Sequence, residues 1–359
     1  MTRTVFLLCL LVVANACKQR KEAVIIPQRA SAALKMPNWK YQQVFQGEAF
    51  KDYKVKFINA QKGYLFGTVY GDVWVTKDGA KSWQSILSPA QNNFKLASLW
   101  DVFLLGDQHI YLSIQDTRGC PNDCNPKLCL LKSQDAGNSW QYVFADMGGV
   151  LLDIHFFDPK NGLGIRLSSL PNSTSTQDLV RTDDGGASWK TVTSVNNIGD
   201  YTTYLQFVSP KDGFFLANGG LYKTTDGGTT WQLIRLESAD IATGLRQLKF
   251  SSAKTGYLST FSGLYKTTNG GISWEKILSG YTKIMDFWQE NEGIVVRQIE
   301  SFPNDYPDSN WEMLETNNAG QTWIRSEPVY NYNFSEAIFL NKSLGFVRKG
   351  SLLEKFERQ

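Results

Sequence analysis

The chain has 359 residues, enough for about two domains at ~150 residues each or for one large all-β unit. Its 37 Lys and Arg balance 34 Asp and Glu to a net charge of +3, and the basic residues are scattered, which argues against a dedicated nucleic-acid binder. The 21 Phe, 15 Tyr and 11 Trp exclude a disordered chain, and two His exclude a His-rich metal site and confine any Ser-His-Asp chemistry to His109 or His155.

The N-terminus carries an address. Arg3 precedes an apolar run, Val5 to Val13, that suits an export signal and is too short to span a bilayer. Ala14, Asn15, Ala16 and Cys17 follow and resemble the bacterial lipoprotein box, in which Cys17 becomes the lipidated first residue. The expected organisation is a signal peptide over 1–16, a flexible tether over 17–37 and a folded part over 38–359. The expected place is the cell envelope, with a lipid anchor at the outer membrane or its periplasmic face.

Six segments then repeat one pattern: Thr76–Trp83, Ser133–Trp140, Thr182–Trp189, Thr224–Trp231, Thr267–Trp274 and Thr316–Trp323. Successive Trp residues are 57, 49, 42, 43 and 49 apart, the period of propellers and solenoids. The third position of each segment is Asp78, Asp135, Asp184, Asp226, Asn269 or Asn318. Its side chain can accept N–H groups of its own turn, while Gly supplies positive φ and Trp buries a ring against the sheet. Six groups at equivalent places in separate units cannot converge on one substrate. They therefore read as turn-holding residues and not as catalytic ones.

Each box is preceded by a second shared element, a Phe followed six residues later by Gly, as in Phe57 and Gly63 or Phe250 and Gly256; the second unit lacks it. Every unit thus reads as strand A, turn, strand B, loop, strand C, box, strand D, a four-stranded antiparallel blade. Strand A–B pairs number seven and boxes six, because the last unit stops after its third strand. Trp39 to Phe45 resembles a post-box strand and supplies the missing one. The expected fold is all-β, a seven-bladed β-propeller of about 46 residues per blade whose ring is closed by an N-terminal strand.

The box resembles the Asp-box of sialidases and other propellers. Together with the Phe–Gly element it is similar to the photosystem II assembly/stability factor family, nearest over Asp153–Gly162 and Arg181–Trp189, with the likeness covering roughly Phe50 to Arg325. This resemblance implies a seven-bladed propeller outside the cytoplasm. It assigns no partner-binding residue here by motif.

In a meander blade the A–B and C–D turns share one face of the disc and the B–C loops share the other. Three units are longer, at Gln115–Leu128, Ser168–Asp178 and Glu300–Asn310, all in B–C loops opposite the boxes. Loops on a rigid ring vary freely, so this face is the expected binding face, with Arg118, Lys127, Phe302, Tyr306 and Trp311 as candidate contacts. The first insertion also holds Cys120, Cys124 and Cys129. Outside the cytoplasm this odd number implies one disulfide of undetermined pairing.

The function expected is non-catalytic: a membrane-tethered, assembly-factor-like scaffold that binds a protein or peptide partner, without nucleic acid, cofactor or metal. The alternative is a sialidase-like glycoside hydrolase acting on cell-surface glycans. That alternative needs an arginine triad, and nothing in the sequence marks three of Arg166, Arg246, Arg297 and Arg348 as one. His109 and His155 lie in strand patterns and read as packed strand residues.

Overall fold

The computed structural model describes residues 24–25, 39–46, 53–68, 71–88, 96–116, 127–168, 176–196, 203–217, 220–236, 245–298, 310–326, 329–330 and 334–359. The strands, numbered in chain order, begin with β1 (Val24–Ile25) and β2 (Trp39–Gln46). Blade 1 is β3 (Tyr53–Phe57), β4 (Gly63–Gly67), β5 (Val73–Thr76) and β6 (Ser82–Leu87). Blade 2 is β7 (Leu96–Leu105), β8 (His109–Asp116), β9 (Lys127–Ser133) and β10 (Gln141–Gly148). Blade 3 is β11 (Val150–Phe156), β12 (Gly162–Ser168), β13 (Thr176–Thr182) and β14 (Lys190–Asn196). Blade 4 is β15 (Tyr204–Phe207), β16 (Gly213–Ala217), β17 (Gly220–Thr224) and β18 (Gln232–Ile234). Blade 5 is β19 (Leu245–Phe250), β20 (Gly256–Thr260), β21 (Gly263–Thr267) and β22 (Glu275–Ser279). Blade 6 is β23 (Thr282–Phe287), β24 (Gly293–Gln298), β25 (Asn310–Thr316) and β26 (Ile324–Arg325), with β27 (Val329–Tyr330) also on β25. Blade 7 is β28 (Phe334–Asn341), β29 (Leu344–Lys349) and β30 (Leu352–Arg358), completed on its outer edge by β2. The expected closure is therefore present, with Trp39 opposite Arg358 and Gln46 opposite Leu352.

The core lies between blades. Seven hydrophobic clusters among the described residues correspond to the seven junctions, for example Phe214 and Leu221 of blade 4 with Leu248 and Tyr265 of blade 5. A B strand is covered on both faces by its neighbours, so β4 is buried at every residue. Outer strands are not, and β22 is largely exposed. The Phe–Gly element has a steric cause. A Cβ on Gly63, Gly213, Gly256, Gly293 or Gly345 would sit 2.2–2.6 Å from the ring of the Phe that ends the paired A strand. With that ring lying flat over its own glycine, the preceding blade can stack on it: Phe346 on Phe57 at 3.7 Å, Phe214 on Phe250 and Tyr257 on Phe287 at 3.4 Å.

Each box turn reaches its blade's A–B turn through one backbone bond, such as Gly227 N–H to Lys211 O at 3.0 Å or Ala319 N–H to Asn291 O at 2.9 Å. The boxes and A–B turns thus occupy one face of the disc, and the B–C connections the other. The strands run further into the insertions than the sequence suggests. β8 continues to Asp116, and β13 begins at Thr176, with Asp178 held in the sheet by an ion pair with Arg166. The long B–C connections are accordingly 117–126, 169–175 and 299–309, outside the described residues. Val24–Ile25, within the expected tether, pairs antiparallel with Trp83 and Ser82 at the outer edge of blade 1. Among the described residues no helix is long and apolar enough to cross a membrane.

Candidate functional site: the axial channel and its loop-side mouth

The seven inner strands, β3, β7, β11, β15, β19, β23 and β28, surround a cavity of about 880 Å³ on the ring axis. Most of its polar side chains bond the neighbouring blade. Lys54 Nζ donates to Trp100 O at 2.6 Å and to Asp101 Oδ1 at 3.2 Å. Asp101 Oδ2 accepts the Ile154 N–H at 3.0 Å, and Asp153 Oδ2 accepts that of Leu205 at 2.8 Å. Gln206 both accepts from and donates to the Phe250 backbone at 2.9 Å. Gln247 accepts from Met285 N–H at 2.9 Å, Asp286 from Phe339 at 2.6 Å and Glu336 from Val55 at 3.1 Å. Every junction between successive blades, the seventh to the first included, therefore carries a side-chain link at the channel wall. The sequence reading missed this ring. Its trace is a polar residue one or three places before the terminal Phe, as at Gln206 and Asp286 or at Asp153, Gln247 and Glu336.

The walls set the charge of the cavity. Asp153 is half-buried on the channel wall; desolvation there and the neighbouring Asp101 push its carboxyl well above the usual range, against the pull of the Leu205 N–H and Lys54. Burial likewise raises Glu336, opposed by Lys56 and Arg348. His155 lies among Phe103, Phe157 and Phe207 at 4.8–5.0 Å, and burial lowers its imidazole to about 4, so it is neutral at pH 7. Lys54 pairs with Asp101 and Lys249 with Asp286. Arg246 has no ion pair among the described residues. Its guanidinium lies 3.8 Å from the centre of the Phe261 ring, and Phe261 is 53% exposed. Arg246 is the second residue of β19 and Phe261 lies in the β20–β21 turn, so both stand at the mouth opposite the boxes. Tyr281 packs on Phe261 at 5.3 Å.

The candidate residues of the loop face separate on this framework. Arg118, Phe302 and Tyr306 lie outside the described residues, as do Cys17, Cys120 and Cys124. Lys127 opens β9 opposite Gly148. Trp311 is not a free contact: it is 2% exposed in the cluster of Trp39, Ile284 and Met313. Alternation along β25 turns Trp311 and Met313 together toward blade 7, and Lys283 covers the Trp311 ring at 5.1 Å. Cys129 is buried in the cluster between blades 1 and 2, with Sγ 3.8 Å from Leu130 O. Of the four arginines, Arg246 and Arg348 line the channel, while Arg166 and Arg297 lie outside it against Asp178 and Glu312.

The six box residues make local hydrogen bonds. Asp226 Oδ1 accepts the Thr224 hydroxyl at 2.8 Å and the N–H groups of Thr229 and Thr230 at 3.0 and 2.9 Å; Oδ2 accepts the Thr230 hydroxyl at 2.6 Å. The Thr230 hydroxyl and N–H, then the Thr224 hydroxyl, hold the Asp226 carboxyl down at about 2. In the Asn boxes one bond reverses, with Asn269 Nδ2 donating to Ser273 Oγ and Asn318 Nδ2 to Thr322 Oγ1, each at 2.8 Å. None of the six lines the channel.

Residues 132–297 match the sequence model of the photosynthesis system II assembly factor YCF48 family. Among solved structures, YCF48 bound to D1 peptide is similar at 16% identity with a TM-score of 0.62, over 91% of this chain and 97% of that one. YCF48 from Cyanidioschyzon merolae is similar at 14% and 0.60, over 94% and 98%. A GH74 xyloglucanase from Xanthomonas campestris is similar at 14% and 0.60, over 87% of this chain and 52% of that one. No curated protein matches the chain. The chain is a seven-bladed Asp-box propeller that resembles the photosystem II assembly factor family.

Proposed function

We propose that this chain is a non-catalytic propeller, lipid-anchored through Cys17 in the cell envelope, that captures an extended peptide segment of a protein partner at the loop-side mouth of its channel, as an assembly factor does. The observation that carries this reading is Arg246 stacked on the exposed Phe261 at that mouth. A guanidinium held on an aromatic face keeps its N–H edge free for a carboxylate, and the ring offers apolar area at low entropic cost. The channel behind it favours the same ligand. Lys54, Lys56, Arg246, Lys249 and Arg348 face four carboxyl groups, so cations outnumber carboxyls there, and burial raises the pKa of Asp153 and Glu336. That a protein of the same fold is bound to D1 peptide supports a peptide as the ligand class.

Cross-linking in envelope extracts, followed by capture on the full chain, tests the reading. Arg246→Glu should reduce partner recovery about tenfold or more, since it replaces a carboxylate donor by a like charge. Lys266→Glu in β21 of the same blade should not. Equal recovery with both variants overturns the mouth assignment. Mass spectrometry of membrane-extracted protein tests the anchor separately, through lipid on Cys17.

A second reading, glycoside hydrolysis, has one observation in its favour: Asp101 and Asp153 form a carboxyl pair on the channel wall, one of them with a raised pKa. Against it, both residues accept backbone N–H groups of the next blade, and Asp101 also holds Lys54. Turnover of cell-surface glycans lost in Asp153→Asn would favour hydrolysis.

A further inference from the structure

A second cavity of about 330 Å³ lies between blades 4 and 5 among box residues, away from the channel. It exists for local reasons. β18 is three residues long, and the indole of Trp231 before it is only partly covered. Trp140, Trp274 and Trp323 of other boxes are likewise partly covered, whereas Trp83 and Trp189 are 1% and 6% exposed. The sixth box position is Lys81, Asn138, Ala187, Thr229 or Gln321 in the other boxes but Ile272 here. Ile272 is 65% exposed, the highest value among the exposed large hydrophobic residues described.

The lining combines a rigid aromatic wall, an aliphatic wall and a neutral polar rim. Trp231 is fixed by its Nε1–H on Gly228 O at 3.0 Å and by edge contacts to Phe207 and Phe215 at 6.0 and 4.9 Å. Ile272 and Ile234 supply the aliphatic surface. The Thr225 hydroxyl and the Gln232 amide make no side-chain hydrogen bond among the described residues. The one cation, Lys223, is engaged by Ala253 O at 3.0 Å. No carboxylate lines the groove to meet a cationic ligand, Lys223 is its single positive charge and already donates to a backbone carbonyl, and a wholly apolar ligand would leave the Gln232 amide and Thr225 hydroxyl desolvated without partners.

We infer that this groove is a binding site for a neutral saccharide of one to two sugar units. A pyranose presents C–H faces that pack on Trp231 and Ile272, and hydroxyls that pair with Thr225 and Gln232. The volume lies at the small end of the about 300–1,000 Å³ typical of ligand sites. The site opens on the box side of the ring, so an envelope glycan held there leaves the loop-side mouth accessible. It is independent of the peptide reading.

The test is saturation-transfer NMR of the full chain with cellobiose, maltose and N,N′-diacetylchitobiose. At least one should bind saturably in the millimolar range. Ile272→Ser and Gln232→Ala, both at exposed positions and checked for wild-type melting, should each weaken that binding by about three- to tenfold, while Arg246→Glu leaves it unchanged. No saturable binding of any of the three overturns the proposal. So does binding unaffected by both groove variants, or binding lost in Arg246→Glu, which would move the sugar to the channel.

Discussion

Trp39 Nε1 donates to Glu315 Oε2 at 3.1 Å, joining residues 276 apart in sequence and two different blades. Arg358, near the C-terminus, pairs with the other oxygen of the same carboxylate and lies 4.9 Å from the Trp39 ring. Both ends of the folded part are thus fastened to one residue of β25 in blade 6, in addition to the β2–β30 ladder of blade 7. Trp39 is 4% exposed, so Trp39→Ala removes a buried indole and should cost about 3–5 kcal/mol in urea denaturation. Removing 17–47 should destabilise strongly, whereas removing 17–37 keeps β2 and loses only the two-residue β1 pairing on blade 1, so the melting temperature should fall far less. Equal stability of the two truncations would refute the latch.

The ring of blades was legible because its signals are local and repeated: the box, the Phe–Gly pair and a strand count one short at one end. The channel links were not, because each is a single polar residue whose partner lies 38–53 positions away, or 281 at the closure, and is mostly a backbone N–H. Asp153 and Asp286 look alike in sequence to any polar residue of a half-exposed strand. Trp311 was misread for a related reason. It follows a loop containing Pro303 and Pro307, but it already belongs to β25, where alternation decides its face. Arg246 was noted only as one of four arginines, and its stack on Phe261 depends on a B–C turn that brings the two together.

Glycine at the Phe–Gly element is required by space and not by dihedral angle. A Cβ on Gly345 would stand 2.2 Å from Phe339 Cδ1, and Phe339 is itself 4% exposed and packed against Trp39 and Phe356. The ring has nowhere to move. Gly345→Ala should cost about 1–3 kcal/mol through overpacking, read as a lower urea midpoint at unchanged slope. A wild-type midpoint would show that the ring does move.

Three boxes place alanine where the backbone is left-handed: Ala80 at φ 69°, and Ala136 and Ala319 at φ 60°. Gly occupies the place of Ala136 and Ala319 in other boxes, as Gly185 and Gly270, and the place of Ala80, as Gly186 and Gly271. An L-residue there is strained by about 1–2 kcal/mol, partly offset by the larger unfolded-state entropy of Gly. Ala136 is only partly buried, so little packing is lost on truncation. Ala136→Gly should therefore raise stability by up to about 1 kcal/mol, seen as a higher melting temperature. Ala80, 1% exposed in the cluster between blades 7 and 1, should gain less from the same change, and a larger gain at Ala80 than at Ala136 would contradict the argument.

Asp153 links blade 3 to blade 4 and should make stability depend on pH in a defined direction. Burial first, and Asp101 second, hold its folded pKa well above the unfolded value. Below the unfolded pKa of about 3.9 both states are protonated and the residue contributes no penalty. As pH rises through that value the unfolded chain ionises while the folded one keeps its proton, so stability falls until the folded pKa is passed and stays reduced above it. Asparagine retains an oxygen for the Leu205 N–H, held at 2.8 Å, and offers an amide where the protonated acid offered O–H. Asp153→Asn should match wild type near pH 3 and melt higher at pH 7–8, with the gap opening as pH rises past about 4. Differential scanning calorimetry across that range measures it. If Asp153→Asn instead melts lower than wild type at pH 7 and equal at pH 3, the carboxylate form is the one the channel wall stabilises, and Asp153 belongs with the negative charges that a carboxylate-bearing peptide would have to face.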